Sequence, residues 1–222
     1  MSIPPADDAV VLFDMDGVLL HGDTMGTLLR QGFARRPWRF LPAALLVGLW
    51  HLLPPGNPGR SRIDRALVRV GLRGFDDRQF ESLARHTATA LAASEARNGE
   101  LVGEVARLRD RGVRVIVVTA SERRLAQGYL DAVGLAGVEL LASELVFAPH
   151  TTAVFRVHNV GPDKVSCVER AGVDLSECLL YTDSASDLPL IERVGACVLV
   201  SPSKATMRIV RRAALSIPIT VI

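Results

Sequence analysis

Six side chains carry the chemistry available to this sequence. Asp14 and Asp16 stand two apart in DMDGV, directly after the short apolar run Ala9–Phe13. Asp183 and Asp187 stand four apart in DSASD, directly after a second such run, Cys178–Thr182. Thr119 closes a β-branched run, Val113–Thr119, and Lys164 opens a helix-like stretch behind Gly161 and Pro162. Carboxyl groups of tuned pKa carry protons, act as nucleophiles, and bind hard cations such as Mg²⁺ through oxygen. That chemistry requires the six to meet in one place.

The surrounding elements predict that they do. Glu100–Arg111 and Glu122–Val133 read as helices on either side of Val113–Thr119. A further helix is expected from Asp187, and Ala196–Val200 is another apolar run followed by helical spacing over Lys204–Ala214. Short apolar runs alternating with helices predict βαβ units, hence an α/β fold with a doubly wound parallel sheet. Functional groups of such sheets gather beyond the carboxyl ends of the strands, where all six residues fall. Two segments break the alternation. Residues 20–98 hold helical stretches around a PPGNPG turn and no convincing strand, which predicts a helical cap inserted into a core of residues 1–19 and 99–222. Leu145–Val157 reads as a β-hairpin or an antiparallel addition to the sheet edge.

Composition narrows the classes. At 222 residues the chain is one domain with a sizeable insertion. A content of 49% hydrophobic and 23% charged residues excludes disorder and coiled coil. Lys and Arg number 26 against 24 acids, too even to imply a nucleic-acid partner. Cys167, Cys178 and Cys197 form no CxxC pair, and an odd count argues for a reducing, cytoplasmic setting with the thiols as small core residues. The first ten residues lack a basic stretch followed by an apolar one, so no signal peptide is expected.

DMDGV, VVT, the lone Lys164 and DSASD, in that order, resemble the four motifs of the haloacid dehalogenase-like hydrolase superfamily. The helical insertion after the first motif and the D-S-x-x-D-L-P form of the last look most like its phosphoserine-phosphatase-like subgroup. The resemblance implies a Mg²⁺-dependent phosphomonoester hydrolase. Asp14 would be the nucleophile that forms an aspartyl-phosphate, and Asp16 would give a proton to the leaving oxygen and take one from the attacking water. Asp14, Asp183 and the main-chain carbonyl of Asp16 would hold Mg²⁺, with Asp187 a further ligand or an outer acid. Thr119 would bond a phosphoryl oxygen and Lys164 would pair with both that group and Asp14. Gly17, Ala120 and Ser121 adjoin these positions and are expected to meet substrate, although Ser121, like Ser184 and Ser186, reads as readily as a loop or capping hydroxyl. The departures from the pattern are small: Val18 where many members have Thr, Thr119 where the subgroup has Ser, and Thr182 before Asp183 where Gly is frequent.

Other readings fare worse. An EF-hand starting at Asp14 fails, since its sixth position would be Leu19 and its twelfth Met25. Haloacid dehalogenation needs neither an acid at Asp16 nor Mg²⁺, and a scaffold with a vestigial site has no reason to keep all four motifs; a mutase stays open. The five histidines show no metal spacing; His21 and Asp23 fall where a hinge into the cap would lie. The segment 35–53, RRPWRFLPAALLVGLWHLL, is either a cap helix packed on its neighbours or a basic, Trp-bearing surface that meets a membrane or an acyl chain at the inner face of the membrane. Its apolar run is too short to span. The expected partner is a phosphorylated small molecule, whether phosphoserine-like, sugar or lipid; the oligomeric state has no signal in the sequence.

Overall fold

A computed structural model describes residues 10–34, 37–53, 57–147, 153–213 and 216–222. Its strands are β1 (Val11–Phe13), β2 (Val115–Glu122), β3 (Glu139–Val146), β4 (Val154–Val157), β5 (Leu179–Thr182), β6 (Ala196–Leu199) and β7 (Ile219–Val221). They form one sheet in the order β4-β3-β2-β1-β5-β6-β7. Every neighbouring pair is parallel except β3 with β4. The chain moves outward from β1 first to one side and then, from β5, to the other. This is a doubly wound α/β fold, and its reversal point lies between β1 and β5.

The strands are apolar on both faces, because helices cover both. Val11 and Phe13 of β1, Val115 and Val117 of β2, and Leu179 and Tyr181 of β5 enter one apolar cluster. The residues between them, Leu12, Ile116 and Leu180, enter a second cluster on the opposite face, as the two-residue period of a strand dictates. Phe13 and Tyr181 stack with ring centroids 4.4 Å apart, which braces the reversal point.

Four helices follow β1: α1 (Thr24–Ala34), α2 (Phe40–Leu52), α3 (Pro58–Gly71) and α4 (Asp77–Ala92). Then come α5 (Gly99–Asp110), α6 (Arg123–Ala132), α7 (Pro162–Arg170), α8 (Leu188–Ile191) and α9 (Lys204–Arg212). Leu28 and Phe33 of α1, Val68 of α3, and Phe80, Leu83 and Ala88 of α4 share the first apolar cluster with the sheet. Asn98 clasps the two ends of this helical segment. Its main-chain N and Nδ2 donate to the carbonyls of Leu19 and Val18 at 3.0 and 2.9 Å, while its Oδ1 caps α5 at Leu101 N. Arg124 of α6 reaches Asp77 of α4 at 2.8 Å and lies 4.4 Å over the Phe80 ring.

The outlier is α2. It is apolar on all sides, yet Ala43 is its one buried residue. Leu41, Leu45 and Leu52 are 74, 71 and 81% exposed, and Trp38 just before the helix is 71% exposed. It touches α3 but is not packed as an interior helix would be. Arg39, expected among the basic residues leading into this run, is buried and donates to the carbonyls of Gly71, at 3.1 Å, and Arg73. It joins the approach of α2 to the end of α3. Arg35 and Arg36 lie outside the described residues.

Two strands exceed the sequence reading. The expected hairpin is the antiparallel pairing of β3 with β4, Leu145 opposite Phe155; residues 148–152, its turn, lie outside the described residues. β3, however, starts at Glu139 and first runs parallel to β2. Its burial alternates there and Glu139, Ser143 and Glu144 dilute its apolar signal. β7, a three-residue edge strand behind Pro218, has no alternation long enough to read. The helix expected from Asp187 is a short 3₁₀ turn, Ala185–Asp187, and then the four residues of α8.

Candidate active site

Asp14 continues β1. Its main-chain N donates to Tyr181 O of β5 at 2.9 Å, so the residue keeps strand register at the reversal point. Its side chain is buried, with Oδ1 accepting from Met15 N at 2.8 Å and Oδ2 lying 3.2 Å from Lys164 Nζ. Lys164 enters from the first turn of α7, only 3% exposed, and also contacts both oxygens of Asp187 at 2.8 and 3.0 Å. Thr182 Oγ1 completes the row with a 2.8 Å bond to Asp187 Oδ2. A buried ammonium is tolerable only when paired, and this one has two carboxylates. Burial by itself would lower the Lys164 pKa, but Asp14 and Asp187 outweigh it and hold the group well above its ordinary value, a permanent cation.

Asp16 occupies a different environment two residues on. Its Oδ1 accepts from Thr24 N at 3.0 Å; its Oδ2 accepts from Thr24 Oγ1 at 3.2 Å and from Ser121 Oγ at 2.8 Å. Burial, then the nearby Asp23, pushes its pKa up to about 6 against those donors. Neighbouring carboxyls in unlike surroundings take unlike proton-transfer roles. Asp14 is bonded to a cation, Asp16 to hydroxyls and an amide.

Gly17 sets the spacing of the loop. Its φ is +76°, and a Cβ there would stand 2.2 Å from the Asp183 carboxylate. Only glycine lets Asp183 rest against this backbone. Asp183 is half-buried, and no described side chain donates to it. Burial first, then Asp187, raises its pKa. Asp14 is likewise pushed well above the usual carboxylate range by burial, with Asp187 and Asp16 adding and Lys164 opposing. Four carboxylates thus gather at this edge with one ammonium, which contacts two of them, an excess of negative charge that calls for a cation. Among the described residues no three His, Cys, Asp or Glu side chains form a metal cluster by themselves. Two carboxylates, Asp14 and Asp183, with a main-chain carbonyl are a hard-oxygen set that fits Mg²⁺, which keeps several waters and takes few protein ligands. Asp187 is engaged on both oxygens by Lys164 and Thr182 and sits behind that set.

The remaining expected residues divide. Thr119 is buried within β2, which runs on to Glu122; its hydroxyl accepts from Ser121 N at 3.1 Å and is not bonded to the carboxylates. Ala120 is exposed and bonded to none of the six. Ser121 acts on Asp16, as a donor, while Ser184 caps the 3₁₀ turn at Ser186 N. His21 and Asp23 are exposed in the connection between β1 and α1.

Three partners escaped the sequence reading. Thr24, the first residue of α1, gives Asp16 two of its three bonds; a threonine eight residues beyond an aspartate carries no recognisable spacing. Thr182 looked like a mere substitution for glycine, whereas its hydroxyl holds Asp187. Asn159 is fully buried, with Nδ2 donating to Thr119 O at 3.1 Å and Leu141 O at 3.0 Å, and N donating to Ser143 Oγ at 2.9 Å. It ties β2 and β3 to the approach of α7, and no local pattern marks it.

Comparison with known proteins agrees with this geometry. The family model for haloacid dehalogenase-like hydrolases matches residues 11–192. The phosphoserine phosphatase SerB1 of Mycobacterium tuberculosis is 24% identical over 208 residues, 90% of this chain and 67% of its own length. A protein of unknown function from Bordetella pertussis superposes with a TM-score of 0.72 at 18% identity, covering 96% of this chain and 98% of that one. A phosphoserine phosphatase solved as a phospho-aspartyl intermediate analogue superposes at 0.63 and 14% identity, covering 96% and 93%. The chain belongs to the haloacid dehalogenase-like hydrolase family, and within it to the phosphatases.

Proposed function

We propose that this phosphatase cleaves phosphate monoesters in two steps through an aspartyl-phosphate on Asp14, with Mg²⁺ as cofactor. The observation that carries the reading is the separation of roles between Asp14 and Asp16: one carboxylate lies against a buried ammonium, 3.2 Å from Lys164 Nζ, and the other is held by Thr24 and Ser121. In the first step an Asp14 oxygen attacks phosphorus, the P–O bond to the alcohol breaks, and Asp16 gives its proton to the departing oxygen. In the second, Asp16 removes a proton from water as the water oxygen attacks phosphorus. The P–O bond to Asp14 then breaks, releasing inorganic phosphate and the free Asp14 carboxylate. A pKa near 6 suits a carboxyl that must both give and take a proton near neutrality.

Lys164 opposes the protonation that burial favours at Asp14 and places fixed positive charge where the phosphoryl oxygens gather. Asp187 and Thr182 fix the lysine. Thr119 and the β2 end around Ala120 and Ser121 offer donors beside the phosphoryl group. Mg²⁺, held by Asp14, Asp183 and the Asp16 carbonyl, would neutralise phosphoryl charge and orient the ester. The helices α1–α4, in residues 20–98, act as a cap that shapes the substrate pocket and excludes water.

Hydrolysis of p-nitrophenyl phosphate after chelation, then with Mg²⁺ or Ca²⁺ restored, tests the proposal. Activity should vanish on chelation, return with Mg²⁺, and stay low with Ca²⁺, whose larger, looser coordination misplaces the carboxylate. Equal rates with the two ions, or full activity in chelator, would contradict it.

A further inference from the structure

The exposed apolar surface of α2 is not used by the catalytic arrangement. We propose that α2 and the adjoining flank of α3 form a docking surface for an anionic lipid bilayer, which presents lipid-borne phosphate monoesters to the site; the substrate half of this inference rests on the hydrolytic reading above.

Three observations choose a bilayer. At 13 residues, α2 is about 20 Å long, and no described helix is long and apolar enough to cross a membrane. An apolar run of this length is that of a buried core helix or an interfacial segment, and a helix apolar all round yet mostly uncovered is not a core helix here. Its ends carry Trp38 and Trp50, the residue type that favours the headgroup boundary, and Arg60 lies 4.0 Å over the Trp50 ring. The charge is complementary. Residues 20–98 contain twelve arginines against six acids, while the rest of the chain has 14 basic residues against 18 acids. Arg62, Arg65 and Arg69 are exposed along α3, which packs on α2, at a spacing that puts them on one face. Such a surface attracts anionic headgroups and repels a second cap of the same charge, which argues against α2 as a self-association seam.

The docking surface is connected to the catalytic loop through the packing of the helices. Asp64 of α3 lies half-buried beside Trp50 of α2, and α3 packs on α1, whose first residue, Thr24, holds Asp16. Arg65, on the same turn, lies near His158, which burial and that arginine hold below its ordinary pKa. The docking surface is thus joined through α1 to the loop that carries Asp14 and Asp16.

The test is sedimentation of the full chain with vesicles of phosphatidylcholine alone and of an equimolar mixture with phosphatidylglycerol. The chain should bind the mixture more strongly, and salt should weaken that binding. Leu41→Asp and Leu45→Asp should each lower it about tenfold or more, and Arg62→Glu with Arg69→Glu should remove the preference for the anionic mixture. All these variants should hydrolyse p-nitrophenyl phosphate as wild type does. Phosphatidic acid in the mixed vesicles should turn over faster than dissolved glycerol phosphate, and Leu45→Asp should erase that advantage. Absence of vesicle binding, binding unchanged in the leucine variants, or a dimer in solution that Leu45→Asp dissociates would overturn the docking surface. Binding without any advantage for phosphatidic acid would overturn the lipid substrate. Intact vesicle binding with no hydrolysis of p-nitrophenyl phosphate would count against the hydrolytic reading alone.

Discussion

At the carboxyl edge of the sheet, the groups that burial makes costly are bonded to one another: Lys164 to Asp14 and Asp187, Asp187 to Thr182, Asp16 to Thr24 and Ser121. On α2 the costly groups are apolar ones left facing water, with Leu41, Leu45 and Leu52 more than two-thirds exposed. In the first region these groups are bonded to one another, so they cannot be removed singly without cost. The second lacks a partner within the described chain, so its parts can be changed with little effect on the folded protein. Stability and chemistry are therefore concentrated at the sheet edge, and α2 is free to serve an interaction.

Substitutions at the two regions should differ in kind. The largest effect belongs to Asp14→Asn, which keeps the side chain's shape and removes the nucleophile. Turnover of p-nitrophenyl phosphate should fall by about 10⁴-fold or more, the scale on which nucleophile removal acts. Circular dichroism should be unchanged, because Asp187 still pairs Lys164. Next comes Lys164→Met, which leaves Asp14 and Asp187 buried without their cation. Urea unfolding in chelator should show a loss of about 3 kcal/mol, with activity falling in parallel. A stable, active Lys164→Met protein would break the view that the sheet edge is one coupled unit.

Smaller effects sharpen the contrast. Ser121→Ala removes one of the three donors to Asp16 and should slow turnover about tenfold, the worth of one hydrogen bond to a charged group. Leu45→Asp on α2 should change unfolding free energy by no more than about 0.5 kcal/mol, as exposed substitutions do. A loss of several kcal/mol there would mean that α2 is part of the folded core after all.

The same contrast explains what the sequence disclosed. β1, β2, β5 and β6 were legible because strands buried on both faces read as unbroken apolar runs. The chemistry lay directly after β1 and β5, at Asp14 and Asp183, and within β2, at Thr119. The parallel half of β3 was hidden by Glu139, Ser143 and Glu144, and β7 by its length. Within the site, the short motifs announced themselves, but Thr24, Thr182 and Asn159 act over distances in the fold that no local spacing encodes. Exposure is likewise invisible to composition. The run Phe40–Leu53 would read the same in a packed helix, and Arg39, which looked like part of a basic approach, is buried against the carbonyls of Gly71 and Arg73.

The central claim is that Asp14 carries the phosphoryl group while Asp16 carries the protons, and pre-steady-state kinetics of Asp16→Asn test it most directly. With p-nitrophenyl phosphate the leaving group needs little protonation, so Asp14 should still be phosphorylated at a usable rate. Dephosphorylation should slow by about 10²–10⁴-fold without a base to activate water. The account predicts a burst of p-nitrophenol near one equivalent per site, then near-silence, with the phosphoryl group recovered on the peptide containing Asp14. A proportional fall in turnover with no burst and no phosphorylated peptide, for p-nitrophenyl and alkyl phosphates alike, would contradict it.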